Sequence, residues 1–165
     1  MGCSPELNWR VVNNHELQFK ATFPDRPVQM AREVRLNNAS HVLTLQAAKV
    51  DDLMFAVGAI SVNNESVTEQ HQLKQALYSS MSSNLTNHRV QVQDTVYVGN
   101  QAMYVDVQGG LPNQVAGRLM GYFFIKNDTV YEVFVLGPAS LFNEQVTQQW
   151  FKGFDLNSSE YSQEG

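Results

Sequence analysis

The chain contains very little cysteine and no clustered histidine. Its one cysteine, Cys3, rules out an internal disulfide, so an apolar core must hold the fold. His15, His41, His71 and His88 are isolated in the sequence, and none has a second ligand at a short spacing. Since metal sites usually contain such a local pair, we expect no metal site and no cofactor.

Basic residues and long apolar runs are also scarce. The chain has 11 Lys and Arg against 16 Asp and Glu, which gives a net charge of −5. Nucleic-acid binding needs a basic stripe, so nucleic acid is excluded as the main partner. The sequence has no apolar run of about 18 residues and therefore predicts no transmembrane helix. It also lacks phosphate-loop, dinucleotide-binding and nucleophile-elbow motifs, so we expect no enzyme.

The richest apolar stretch, from Ala116 to Gly137, predicts a β-hairpin. Asn127 and Asp128 tolerate the positive φ that a two-residue hairpin turn requires. Apolar side chains alternate onto both faces, which predicts a hairpin inside a sheet with a layer packed on each side. Glu132 is the main exception. We interpret it as a partly solvated or hydrogen-bonded structural carboxylate, with a site carboxylate as the alternative.

Two amphipathic helices are predicted. Ser66 and Glu69 have capping-box spacing before an apolar stripe, which predicts a helix over about 67–86. Ser140 as N-cap, with a second stripe ending at Trp150, predicts a helix over about 140–152. Alternating patterns elsewhere predict strands joined by tight turns, one turn lying around Gly99-Asn100. The fold class is therefore α+β, with a single antiparallel sheet of about six to eight strands and two helices.

A chain of this length fits one domain. Residues 1–16 are predicted to be an N-terminal tether that settles onto the domain, because they are mostly polar. Residues 17–156 form a single α+β domain in this interpretation. Residues 157–165 are polar and are predicted to be a flexible tail.

Cys3 is the first candidate functional residue. If Met1 and Gly2 are a leader from cloning, the natural chain begins Cys-Ser-Pro-Glu, as a mature bacterial lipoprotein does. Cys3 is then the lipid attachment site and the only link to a membrane. A chance terminal cysteine is the alternative, and eukaryotic myristoylation is disfavoured because Glu6 stands where serine or threonine is expected.

A polar sheet face is the second candidate. Tyr97, Tyr104 and Asp106 share one face of the hairpin predicted over residues 90–109. Tyrosine and carboxylate side chains together could bind a small ligand. The alternative interpretation is a solvated edge of the sheet.

The segment from Leu17 to Pro27, LQFKATFPDRP, ends a strand in Phe-Pro and closes the following turn with proline. Together with Gly-Arg-x-x-x-Gly-Tyr-Phe at 117–124, Tyr-Glu-Val-Phe-Val at 131–135 and a closing helix before Phe154, it resembles bacterial proteins with the PsbP/Mog-type α/β/α sandwich. The resemblance spans about residues 16–156. It implies an antiparallel sheet with helices on both faces and brings no catalytic residues. Proteins of this type act in photosystem assembly, bind the small GTPase Ran or serve as chaperones of secreted toxins, which implies a protein partner.

Three hypotheses of function remain open. The first is a non-enzymatic envelope protein, lipid-anchored on the periplasmic side, that binds or helps to assemble an unknown protein partner. The second is a cytoplasmic chaperone or adaptor for a secreted effector, which would need an exposed apolar groove. The third is a small-ligand sensor or a cryptic enzyme that uses the polar face.

Overall fold

The computed structural model describes residues 7–36, 38–62 and 66–157. These residues form a long sheet, a small sheet and two helices. The bounds are β1 Arg10–Asn14, β2 Phe19–Phe23, β3 Val28–Leu36, β4 Ala39–Val50, β5 Leu53–Ser61, α1 Val67–Ser82, β6 Thr86–Tyr97, β7 Asn100–Gly110, β8 Ala116–Lys126, β9 Thr129–Pro138, α2 Glu144–Lys152 and β10 Asp155–Leu156.

The long sheet is antiparallel and has the strand order β3-β4-β5-β9-β8-β7-β6. The predicted hairpin is confirmed as β8 and β9, with Lys126 opposite Thr129. Its turn residues, Asn127 and Asp128, have φ of 52° and 58°. Since β7 pairs with β8 and β5 pairs with β9, the hairpin lies inside the sheet, as its two apolar faces predicted.

The turn between β6 and β7 lies one residue earlier than predicted. Val98 and Gly99, with φ of 51° and 77°, occupy its centre, and Tyr97 pairs with Asn100. The Asn100 side-chain amide donates a hydrogen bond to the carbonyl of Val98 at 2.9 Å, and this bond stabilises the turn. Asn100 is the first residue of β7, because it pairs with Tyr97.

Helix α1 covers one face of the long sheet, mainly over β8 and β9. The capping box is confirmed, because Ser66 Oγ accepts from the Glu69 amide at 3.1 Å while Glu69 Oε1 accepts from the Ser66 amide at 3.4 Å. The helix ends at Ser82 instead of residue 86, since the Asn84 side chain donates to the Met81 carbonyl at 2.9 Å and β6 begins at Thr86. Its buried apolar stripe consists of Leu73, Leu77 and Met81.

The opposite face is covered by α2 and by a second sheet, so the predicted α+β fold with a single-sheet α/β/α sandwich is wrong, and the fold is mostly β. The described residues are 58% strand and 19% helical, in a sheet of 7 strands and a sheet of 3 strands. In the small sheet β2 lies between β1 and β10. Pro24 and Pro27 flank the turn after β2, and there the chain leaves the small sheet for the long one. Phe23 from the small sheet then packs on Trp150 from α2, with ring centroids 5.0 Å apart.

The start of α2 differs from the sequence prediction, and a short strand lies within residues 1–16. Helix α2 begins at Glu144 with Asn143 as its N-cap, because Ser140 lies in a 3-10 turn over Ala139–Leu141. Residues 10–14, inside the predicted tether, form β1 and pair with β2. Cys3 and most of the predicted tail lie outside the described residues.

Candidate functional site

A groove of about 520 Å³ lies between α2 and the β7–β8 part of the long sheet. Tyr104 and Asp106 alternate onto this face from β7, and Arg118 and Tyr122 do so from β8. Tyr104 stands directly opposite Tyr122, because β7 and β8 pair in that register. The helix supplies the other wall, from its N-cap Asn143 to its last turn.

Arg118 and Asp106 form a bidentate ion pair along the wall of the groove. The Arg118 Nε and Nη2 atoms donate to the two Asp106 carboxylate oxygens at 2.9 and 2.7 Å. The guanidinium carbon lies 5.3 Å from the centre of the Phe142 ring, within cation–π distance. The hydrogen bond to Asp106 raises the pKa of Arg118 above its ordinary value, so the group stays charged. The pair therefore fixes a flat cation against an aromatic ring.

The tyrosines form the aromatic part of the wall. The rings of Tyr104 and Tyr122 lie 5.1 Å apart, and Tyr122 meets Phe151 of α2 edge-on at 5.1 Å. Burial, followed by the neighbouring Asp106, raises the pKa of Tyr104 above its ordinary value. Burial also raises the pKa of Tyr122. Both phenols stay protonated at neutral pH and can donate hydrogen bonds.

The three residues predicted for the polar face share that face but make different contacts. Tyr104 lines the groove, and Asp106 holds Arg118. Tyr97 is packed behind them: its ring stacks on Tyr122 at 4.0 Å, and its hydroxyl donates to the carbonyl of Phe151. Burial raises the pKa of Tyr97, so it acts as a neutral support for Tyr122. Helix α2 packs over part of this polar face, so the face is not an open edge of the sheet.

The sequence prediction missed Arg118 and all groove residues of α2. Alternation along β8 puts Arg118 on the same face as Tyr122. The sequence alone does not show that β8 pairs with β7, and only this pairing brings Arg118 to Asp106. On α2, Gln148 donates to Glu144 at 3.3 Å, while Lys152 has no ion pair in the part of the chain that the structure describes. The groove thus contains aromatic rings, tyrosine donors and one available ammonium group.

Glu132 lies on the other face of the sheet, under α1, and is not part of the groove. It is fully buried, and neither carboxyl oxygen has a hydrogen-bond partner among the described residues. The interpretation as a partly solvated or hydrogen-bonded carboxylate is therefore wrong. Burial raises the pKa of Glu132 to about 8, and the charge of Arg32 opposes that shift.

The described ranges contain no group of three or more His, Cys, Asp or Glu side chains placed to hold a metal ion. No helix in those ranges is long and apolar enough to span a membrane.

Comparison with known proteins finds similarity among solved structures only. No protein-family model matches the chain, and no curated protein matches it. A solved structure described as "Protein of Unknown Function PA94 from Pseudomonas aeruginosa, Putative Regulator" is similar with a TM-score of 0.47 and 12% identity, over 72% of this chain and 92% of that one. A match at that level indicates neither a family nor a function, so the PsbP/Mog-type resemblance stays a prediction.

Proposed function

We propose that this protein is a non-catalytic binding module that holds a segment of a partner protein in the groove between α2 and β7–β8. The observation that carries the proposal is the grouping of Tyr104, Tyr122 and Arg118 side by side in one accessible wall. Tyrosine and arginine dominate the energetics of protein–protein contacts, because they bury a large area and keep a polar group for the partner.

The wall is also held rigid before binding. Arg118 is fixed by two hydrogen bonds to Asp106, and the Tyr122 ring is clamped between Tyr97 and Phe151. A fixed wall loses little side-chain freedom when it takes up a partner, and this favours affinity. Met120 and Phe142 give the groove apolar surface for a buried side chain.

The polar groups suggest what the bound segment carries. Lys152 stands at the end of the groove formed by the last turn of α2 and would pair with an acidic group. Tyr104 and Tyr122 would donate to backbone carbonyls of an extended segment. We therefore expect a peptide with an apolar or aromatic side chain next to an acidic residue.

A displayed library of random peptides tests this proposal. Peptides selected by the full chain should be rich in an apolar or aromatic residue next to an acidic residue. They should bind neither the Phe142→Ala variant nor the double variant that carries Tyr122→Phe and Lys152→Ala. They should keep binding to Val42→Ala, which changes an exposed valine on β4. Selected peptides that bind all these variants equally would contradict the proposal.

A small-ligand sensor is the second candidate, because about 520 Å³ falls within the usual range of small-molecule pockets. A fragment screen by ligand-observed NMR tests this candidate. Binding of aromatic acids to the wild-type chain, and loss of that binding in Phe142→Ala, would favour it. The lipid anchor at Cys3 and the envelope location remain separate predictions, tested by mass spectrometry of the mature N-terminus.

A further inference from the structure

The outer edge of β6 is a second surface, separate from the groove. In the part of the chain that the structure describes, β6 is the end strand of the long sheet and pairs with β7 alone. The tight turn at Val98 and Gly99 makes Tyr97 and Asn100 a hydrogen-bonded pair. Odd-numbered residues of β6 therefore bond to β7, and the N–H and C=O groups of even-numbered residues point away from the sheet.

The centre of this edge carries no charge, and its α1 side is apolar. Val90 and Val92 are 40% and 50% exposed, although the residues opposite them, Val107 and Val105, are buried on the α1 side of the sheet. Helix α1 packs over β8 and β9, so the apolar row continues past the helix to the edge. Segment 90–93 has the sequence Val-Gln-Val-Gln and carries no charge.

The opposite edge of the sheet is protected differently. Strand β3 carries Arg32, Glu33 and Arg35. Charged residues on an edge strand oppose pairing with another strand. The central part of β6 lacks this protection, which makes β6 the better candidate for contact with another chain.

We propose that two copies of this chain form a dimer through β6, with the strands antiparallel and a two-fold axis at Gln91. In this register Val90 lies opposite the partner's Val92, and the symmetry repeats the pair. Arg89 lies opposite the partner's Gln93. The even-numbered residues, whose backbone groups point outward, supply the hydrogen bonds between the copies.

The valines and Asp94 disfavour the registers that are shifted toward the Asp94 end of the strand. An axis at Val92 would place Val90 opposite the partner's Asp94, and an axis at Gln93 would place Val92 opposite it. Both arrangements put an apolar side chain against a carboxylate. With the axis at Gln91 the strand complements itself, and this favours a second copy over a strand of another protein.

Cysteine cross-linking tests the register in a full-length Cys3→Ser background. Gln91 would face its own copy in a non-hydrogen-bonded pair with a Cα–Cα distance of about 4.5 Å, which permits a disulfide. Gln93, exposed on the same face, would lie about 13 Å from its copy, since four residues of strand separate them. We expect a covalent dimer on mild oxidation of Gln91→Cys and none for Gln93→Cys. A dimer for Gln93→Cys alone, or for neither variant, overturns the proposal.

Sedimentation velocity over a wide concentration range gives an independent readout. The wild-type chain should shift from monomer to dimer, and Val28→Lys, at an exposed valine of the opposite edge, should behave in the same way. Val92→Lys should weaken dimerisation about tenfold or more, because it places a charge against the partner's Val90. A wild-type chain that stays monomeric throughout overturns the proposal, even if the edge binds a strand of another protein. Val92 lies on the α1 face of the sheet and the groove lies on the α2 face, so Val92→Lys leaves the groove residues unchanged and tests the dimer separately from the proposed function.

Discussion

The carboxyl group of Glu132 fills the space that Gly58 leaves open on the neighbouring strand. The two residues stand directly opposite each other on β9 and β5. A Cβ atom at position 58 would lie 2.7 Å from Oε2 and 2.8 Å from Cγ of Glu132. The Glu132 side chain therefore packs closely against Gly58. Its buried carboxyl oxygens lack hydrogen-bond partners among the described residues. A buried unpaired carboxyl group favours its neutral form.

The first prediction is that stability falls as the pH rises. The pKa of Glu132 is about 8 in the folded protein against an ordinary value of 4.5, so the folded state keeps its proton after the unfolded chain has lost it. The free energy of unfolding should therefore decrease between these two values and level off above pH 8. The decrease attributable to this residue is on the order of 5 kcal/mol. Denaturant unfolding across this pH range measures it.

Glu132→Gln should remove most of this slope and should be more stable than the wild type at the alkaline end. Glu33→Gln is the matched control, because Glu33 is exposed on β3, and it should keep the wild-type slope. Equal slopes in all three proteins would show that Glu132 does not titrate in this range.

Gly58→Ala should destabilise the protein by roughly 1–3 kcal/mol, the usual cost of overpacking a core. The added methyl group would overlap Glu132 and would also lie 2.9 Å from a methyl group of Leu45. In a Glu132→Ala background the same substitution should cost less, since the larger obstacle is gone. A double-mutant cycle by urea unfolding measures this coupling, and additive effects would contradict it.

Tyr97→Phe should cost about 1 kcal/mol of stability, because the carbonyl of Phe151 loses its hydrogen bond while the ring stacking remains. Tyr104→Phe is a suitable comparison. The Tyr104 hydroxyl has no hydrogen bond to other described residues, so its removal should change the stability by less than about 0.5 kcal/mol. Thermal unfolding of both variants tests this difference, which should vanish if the Tyr97 hydroxyl is instead solvated.

Arg118 and Asp106 should be coupled by about 1 kcal/mol, which a double-mutant cycle with Arg118→Leu and Asp106→Leu would measure. The side chains are 29% and 10% exposed, so solvent screens the pair only in part. Arg118→Lys should not restore the coupling, because lysine cannot form the two parallel hydrogen bonds. Full recovery with lysine would mean that only the charge matters.

Local patterns in the sequence predicted the elements better than their arrangement. The β8–β9 hairpin followed from its turn residues and from alternation, which act over neighbouring residues. The placement of β2 did not follow, because Phe19, Ala21 and Phe23 alternate just as they would in a strand of the long sheet. Its position depends on pairing with β10, more than a hundred residues later in the chain, and on the packing of Phe23 against Trp150.

The site was predicted in part for the same reason. Alternation placed Tyr97, Tyr104 and Asp106 on one face, and the structure keeps them there. Their different roles depend on where α2 packs, and that is decided by Trp150 against Phe23 and Phe55. No pattern within the hairpin contains this information.

The two faces of the sheet also differ in how early they can be completed during synthesis. Every buried residue of the core beneath α1 lies between Leu43 and Phe134, whereas the core beneath α2 also needs Trp150, Phe151 and Phe154. A nascent chain that has just released β9 from the ribosome can therefore close one core while the other still presents its aromatic residues to solvent. Such an intermediate would be the species most prone to aggregate and to bind chaperones.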